Sequence, residues 1–204
     1  MARQERTGHF PGALDLLPIQ VDHHPMIDLS GQILIVTGTP GAGKTTTARS
    51  LVESCGQPAV HIHADDFWHF IRNGAIPPYL PESRRQNEVV MGALCAAAQR
   101  YADGGYFVVI DGIIGPWFLP AFSAVSHPLH YIVLRPDLDE AIRRCQLRGG
   151  ETLADPIPIS DLHSQFSQLD RLDNHRIDTA GLSRQEILEA VVRALTGGRF
   201  LLNS

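Results

Sequence analysis

Gly38, Gly43, Lys44 and Thr45 fall at the spacing G-x-x-x-x-G-K-S/T in the octet Gly38-Thr39-Pro40-Gly41-Ala42-Gly43-Lys44-Thr45. Residues of these types at this spacing bind a polyphosphate. Successive backbone N–H groups surround the phosphate oxygens, the lysine reaches the terminal phosphates, and the threonine hydroxyl takes a place on Mg²⁺. Lys44 is the only lysine among 17 Lys and Arg residues. A chain that otherwise uses Arg keeps a compact ammonium on a flexible stem where a planar guanidinium cannot replace it. The eight residues and the following Thr46 are therefore candidate nucleotide ligands, with Lys44 also a catalytic candidate.

Three further groups could share chemistry with this loop. Asp111 closes the apolar run Phe107 to Ile110, a pattern suited to holding Mg²⁺ through water, and Gly112 after it is expected to leave room for a substrate. Asp65-Asp66 follows another short apolar run, so either carboxylate could accept the proton of an attacking hydroxyl. The preferred assignment is Asp65 as base and Asp66 as N-cap of a helix over Phe67 to Asn73, with the reverse left open. Arg144 and Arg148, spaced i,i+4, share one helical face ahead of Gly149-Gly150 and suit a phosphate clamp. The plainer reading of those arginines is a surface stripe paired with Asp139 and Glu140. His61 and His63 share one strand face and are read as packing residues more readily than catalysts, although His63 is close enough in sequence to tune Asp65.

The elements that must position these groups are legible as alternating short apolar runs and helical patterns, the signature of a parallel sheet flanked by helices. Strands are expected over Gln32 to Thr37, Ala59 to Ala64, Tyr106 to Asp111, Leu129 to Leu134 and His175 to Asp178. A helix should follow the glycine loop over Thr45 to Glu53. A longer one should run from about Glu82 to Ala102 and end at Gly104-Gly105, and Pro136 suits the first turn of another. Ser183 with Glu186 three residues on is a capping box opening a last helix over Arg184 to Leu195. Residues 1–30 show little periodicity and read as an extension without assigned chemistry.

The 204 residues suffice for one α/β domain over 31–204 but not for two. A net charge of −5 argues against broad affinity for nucleic acid or anionic membrane. Three cysteines without a C-x-x-C pair suggest neither a disulfide framework nor a zinc site, which fits a reducing cytoplasm. No apolar run approaches the roughly 18 residues of a membrane span. Monomer and homodimer both stay open.

Taken together, GTPGAGKT, a carboxylate after the second strand, VVID-G after the third, R-x-x-x-R after the fourth and HRIDTAGLS before the last helix resemble the small-molecule branch of the P-loop kinases. That group includes chloramphenicol phosphotransferase and the shikimate and gluconate kinases. The resemblance spans about residues 31–196. It implies a three-layer α/β sandwich whose five parallel strands run in the order 2-3-1-4-5. It further implies that Arg144 packs on the adenine of ATP, that Arg148 touches phosphates from a lid within about 143–159, and that the turn at Thr179 and Ala180 lies against the base. Gly112-Ile113-Ile114-Gly115 departs from the glycine triplet of shikimate kinases.

The acceptor insert is expected over about 66–104, with Phe67, Trp68, Phe70, Tyr79 and Trp117 as apolar walls and Arg72 as a charged contact. Asp65, Asp66, Trp68, Arg72 and Gly112 are thus candidate substrate residues. The expected activity is Mg²⁺-dependent transfer of the γ-phosphoryl group of ATP to a hydroxyl of a small molecule. A nucleoside monophosphate kinase and a non-catalytic, ATP-gated binding module are the alternatives.

Overall fold

The structure, a computed structural model, describes residues 28–148 and 154–202. The expected extension lies outside the described residues up to position 27, as do positions 149–153 of the expected lid.

Five strands form where the apolar runs are: β1 (Ile33–Gly38), β2 (Ala59–His63), β3 (Phe107–Asp111), β4 (Leu129–Arg135) and β5 (Arg176–Asp178). They pair in parallel in the order β2-β3-β1-β4-β5. Every residue of β1 and β3 is buried, since helices cover both sheet faces and leave no polar side to alternate with.

The helices are α1 (Lys44–Ser54), α2 (Asp65–His69), α3 (Arg84–Asp103), α4 (Leu138–Arg148), α5 (Pro156–Gln165) and α6 (Arg184–Thr196). On one face, Ile33, Ile35, Val108, Ile110, Tyr131 and Val133 pack with Met91, Leu94 and Ala98 of α3 and with Phe166. On the other, Leu34, Val36, Val109, Ile132 and Leu134 pack with Ala48 and Leu51 of α1 and with Ile187, Leu188 and Val191 of α6. Successive strand residues thus feed opposite cores, as the pleat requires.

β5 covers only the upper part of β4. The chain's last described segment covers the lower part as an antiparallel bridge, with Tyr131 N donating to Phe200 O at 2.9 Å and Leu202 N to Leu129 O at 2.8 Å.

Ser183 and Glu186 form the expected capping box of α6. Three local expectations are corrected. Asp66 caps no helix: α2 begins two residues earlier than expected, at Asp65, its N-cap is Ala64 with no side-chain bond, and it stops at His69 rather than Asn73. Both aspartates instead occupy its first turn, where carboxylates oppose the helix dipole favourably. α4 starts at Leu138, so Pro136 precedes it. The far part of the expected lid is helical, because Asp155 accepts from Ile157 N as an N-cap, Pro156 sits at the first position, and Ile159 is fully buried against Ala141 and Cys145 of α4.

Candidate active site

The octet links the end of β1 to the start of α1. Its last glycine, Gly43, is the N-cap of α1 at φ 87°, a left-handed conformation, with open space where a Cβ would stand. A side chain there would be strained and would occupy the space through which a ligand reaches the first amides of the helix. Lys44 Nζ donates to Thr39 O at 2.9 Å. Burial pushes the Lys44 ammonium below its ordinary value, while the charges of Asp65 and Asp111 oppose that shift and the charge of Arg148 adds to it. These four residues therefore share one electrostatic neighbourhood.

Parallel pairing sets Val36 beside Asp111 across β1 and β3, and His63 beside Asp111 across β2 and β3. Asp111 is fully buried at the carboxyl edge of the sheet, where ligands of open α/β sheets collect. The Thr45 hydroxyl donates to its Oδ2 at 2.6 Å. On Oδ1 it meets His61 Nε2 at 2.6 Å and His63 Nδ1 at 3.1 Å. Burial alone would raise the Asp111 pKa, but the bonds from His61, His63 and Thr45 outweigh it and hold the carboxyl well below its ordinary value. The His63 imidazole is in turn raised, chiefly by its bond to Asp111 and against the effect of burial.

The reading of His61 and His63 as packing residues is thus corrected. Their two-residue spacing was visible, but the carboxylate on the neighbouring strand was not. Thr45 spends its proton on Asp111, which leaves its hydroxyl lone pairs for a cation. Among the described residues no group of three or more His, Cys, Asp and Glu could hold a metal ion. A hydroxyl plus one carboxylate is an all-oxygen donor pair that fits Mg²⁺, which takes few protein ligands and completes its shell with phosphates and water.

Asp65 opens α2 directly after β2, partly exposed, with Oδ2 3.8 Å from His63 Nε2. Asp66 is exposed. Gly112 does not leave a void: a Cβ there would lie 2.7 Å from Ala64 Cβ. Its missing side chain lets the start of α2 pack against the end of β3.

Trp68 donates through Nε1 to Asn87 Oδ1 at 2.8 Å and packs on Phe118, and Trp117 lies between Phe118 and Phe166. Tyr79 and Phe70 are largely exposed, and so is Arg72. The connection between α2 and α3 is held from α3. Gln86 bonds both Ile76 N (2.8 Å) and Ile76 O (2.6 Å), and Asn87 donates to Pro78 O at 2.8 Å. Sequence reading missed both residues, and only the polar Gln-Asn pair at the start of an otherwise amphipathic helix marked them.

Arg144 reaches the loop, donating from Nη1 to Gly41 O at 3.3 Å, and its Nε also bonds Glu140 at 2.7 Å. Arg143 bonds the same carboxylate at 2.7 and 2.8 Å. Bonds from Arg143 and then Arg144 hold the Glu140 carboxyl at about 2. Arg144 thus makes the pairing with Glu140 that the plainer reading expected and also reaches the loop, while Arg143 shares the same carboxylate. Arg148 is exposed. Thr179 is buried, its N donates to Arg135 O at 2.8 Å, and its hydroxyl has no hydrogen-bond partner among the described residues; Ala180 is exposed.

Among curated proteins no sequence matches the chain. Several solved structures share the fold. The tunicamycin resistance protein of Deinococcus radiodurans is 21% identical with a TM-score of 0.59, covering 85% of this chain and 99% of its own. The thymidylate kinase of Candida albicans is 17% identical with a TM-score of 0.62, covering 86% and 96%. The shikimate kinase of Acinetobacter baumannii, solved with shikimate, is 19% identical with a TM-score of 0.56, covering 82% and 94%. The sheet order, the helices on both faces and these neighbours give the α/β fold of the P-loop kinases. The AAA domain family matches residues 34–155, from β1 through the glycine loop, Asp111 and α4, and the chain belongs to that family.

Proposed function

We infer that the protein is an ATP-dependent phosphotransferase that moves the γ-phosphoryl group of ATP to a hydroxyl of a small molecule. The observation that carries this reading is the convergence of Lys44, Thr45, Asp65 and Asp111 at one sheet edge, with Thr45 bonded to Asp111 at 2.6 Å. Fold likeness to kinases supports it at the coarser level of phosphoryl transfer.

The loop amides and the start of α1 cradle the triphosphate. Lys44 leaves Thr39 O for the γ-phosphate, and its charge neutralises what builds on the transferred group. Thr45 and Asp111 would hold Mg²⁺, which when bound would neutralise charge on the phosphates. Asp65, at the mouth of the crevice, accepts the acceptor's hydroxyl proton. The acceptor oxygen then bonds to the γ-phosphorus as the bond to the β-phosphate oxygen breaks, and ADP leaves. Arg144 packs towards the nucleotide and Arg148, at the end of α4, clamps its phosphates. The Thr179–Ala180 turn borders the base. The insert over 66–104 receives the acceptor, with Trp68 and Trp117 as walls and Arg72 and Asp66 at its rim.

Incubation with Mg-ATP and a metabolite extract, followed by mass spectrometry, tests the reading. A product heavier by one phosphoryl group on an alcohol supports it. Phosphorylation of nucleoside monophosphates alone would replace it with a nucleotide kinase. ATP binding without any phosphorylated product would replace it with a binding module.

A further inference from the structure

Asp111 is completely buried and its three donors are unevenly shared: two imidazole nitrogens meet Oδ1 and one hydroxyl meets Oδ2. An ionised carboxylate only accepts hydrogen bonds, so His61 must carry its proton on Nε2 and His63 on Nδ1. The two rings use different nitrogens because they stand two residues apart on one face of β2, so that His63 lies level with Asp111 while His61 lies level with Val109 and reaches up to it.

We propose that His61 and His63 are positioning residues for the metal, fixing the rotation of the Asp111 carboxylate by loading Oδ1 and so turning Oδ2 and the Thr45 hydroxyl towards the glycine loop. This role rests on Thr45 and Asp111 being the metal-holding pair of the phosphotransferase. Groups that orient a metal-holding carboxylate in this way typically matter about 10–100-fold in metal affinity. Space-filling by the same rings would not depend on which ring nitrogen carries the donor.

That difference makes the test. A glutamine amide nitrogen stands near the place of a histidine Nε2, and an asparagine amide nitrogen near that of Nδ1. His61→Gln and His63→Asn therefore keep each donor in place, while His61→Asn and His63→Gln move it. Calorimetry on the full chain at one pH measures the affinity for the β,γ-imido analogue of ATP with and without Mg²⁺, and thermal unfolding checks that each variant is folded.

The expected result is that the donor-keeping variants retain the Mg²⁺-dependent gain in affinity. The donor-moving variants lose about tenfold or more of it, with the metal-free affinity unchanged in all four. If the donor-moving variants keep the full gain, or if all four lose metal-free affinity alike, the positioning role is refuted while the phosphotransferase reading stands. A wild-type chain that binds the analogue with no gain from Mg²⁺ refutes the metal pair and with it this inference.

Discussion

Lys44 carries the sharpest expectation at the scale of single residues. Its ammonium is partly buried and its pKa depressed, so the loop by itself holds this charge at a cost that a bound triphosphate would remove. Lys44→Ala should abolish phosphoryl transfer yet leave the thermal midpoint of the ligand-free protein unchanged or slightly higher, and substantial transfer by this variant would overturn the assignment. The Asp111 network makes a prediction about pH in the metal-free protein. Asp111 lies below its ordinary 3.8, so its contribution to stability is whole above about pH 4 and is lost as pH falls through the depressed value. His63 lies above its ordinary 6.5, so its contribution is whole below that pH and is lost as pH rises through the raised value. Melts followed by circular dichroism should therefore show both limbs, and His63→Asn should flatten the alkaline one; an unaltered alkaline limb would contradict the pairing. The octet, Asp111 and the aspartate pair were legible because each is a run of adjacent residues with its own chemistry. The histidine contacts were not, because nothing in HIHADD says which strand lies alongside.

Elements were legible to the extent that their own sequence determines them. β1, β3 and β4 are short, largely apolar runs rich in β-branched and aromatic residues, as suits a buried strand, and α6 carries its start signal in Ser183 and Glu186. α2 and α5 were harder. Five residues cannot show a helical period, and the Pro156-Ile157-Pro158 stretch reads as loop until Ile159 is seen buried on α4. The connection from α2 to α3 is held by Gln86, by Ser83 and by the buried Asn87, which accepts from Trp68 and donates to Pro78 O and Ser83 Oγ. Asn87→Ala should cost about 1–3 kcal/mol by leaving Trp68 Nε1 without its acceptor, and limited proteolysis should then cut between α2 and α3 first. Gly112→Ala acts on a neighbouring junction. Its methyl would meet Ala64 Cβ at 2.7 Å and push the start of α2 from the end of β3. Overpacking of that kind costs about 1–3 kcal/mol, and because Asp65 follows Ala64, turnover should fall more than nucleotide affinity does. Equal losses in both would show that Asp65 sits apart from the acceptor step.

Strand order is a property of the whole molecule, and here it came from resemblance rather than from the strands, whose apolar runs are interchangeable as neighbours. Within the order β2-β3-β1-β4-β5, the seat of β3 between the strand that ends in the glycine loop and the strand that ends at His63 brings Thr45, Asp111 and His63 together. α1 belongs to one core and Trp68 packs against the other, so a ligand held between the loop and Asp65 bridges the layers on both sheet faces. Binding there must stabilise the domain as a unit. At a concentration 100 times its dissociation constant, the Mg²⁺ complex of the β,γ-imido ATP analogue should add about 2.7 kcal/mol. That amounts to roughly 5–10 °C in the thermal midpoint for a domain of this size. The shift should appear in near-ultraviolet circular dichroism, which reports Trp68 and Trp117, at the same temperature as in the far-ultraviolet signal of the helices. Two transitions, only one of them moved by the analogue, would mean that the ligand grips one face alone and that Asp65 is not part of its site.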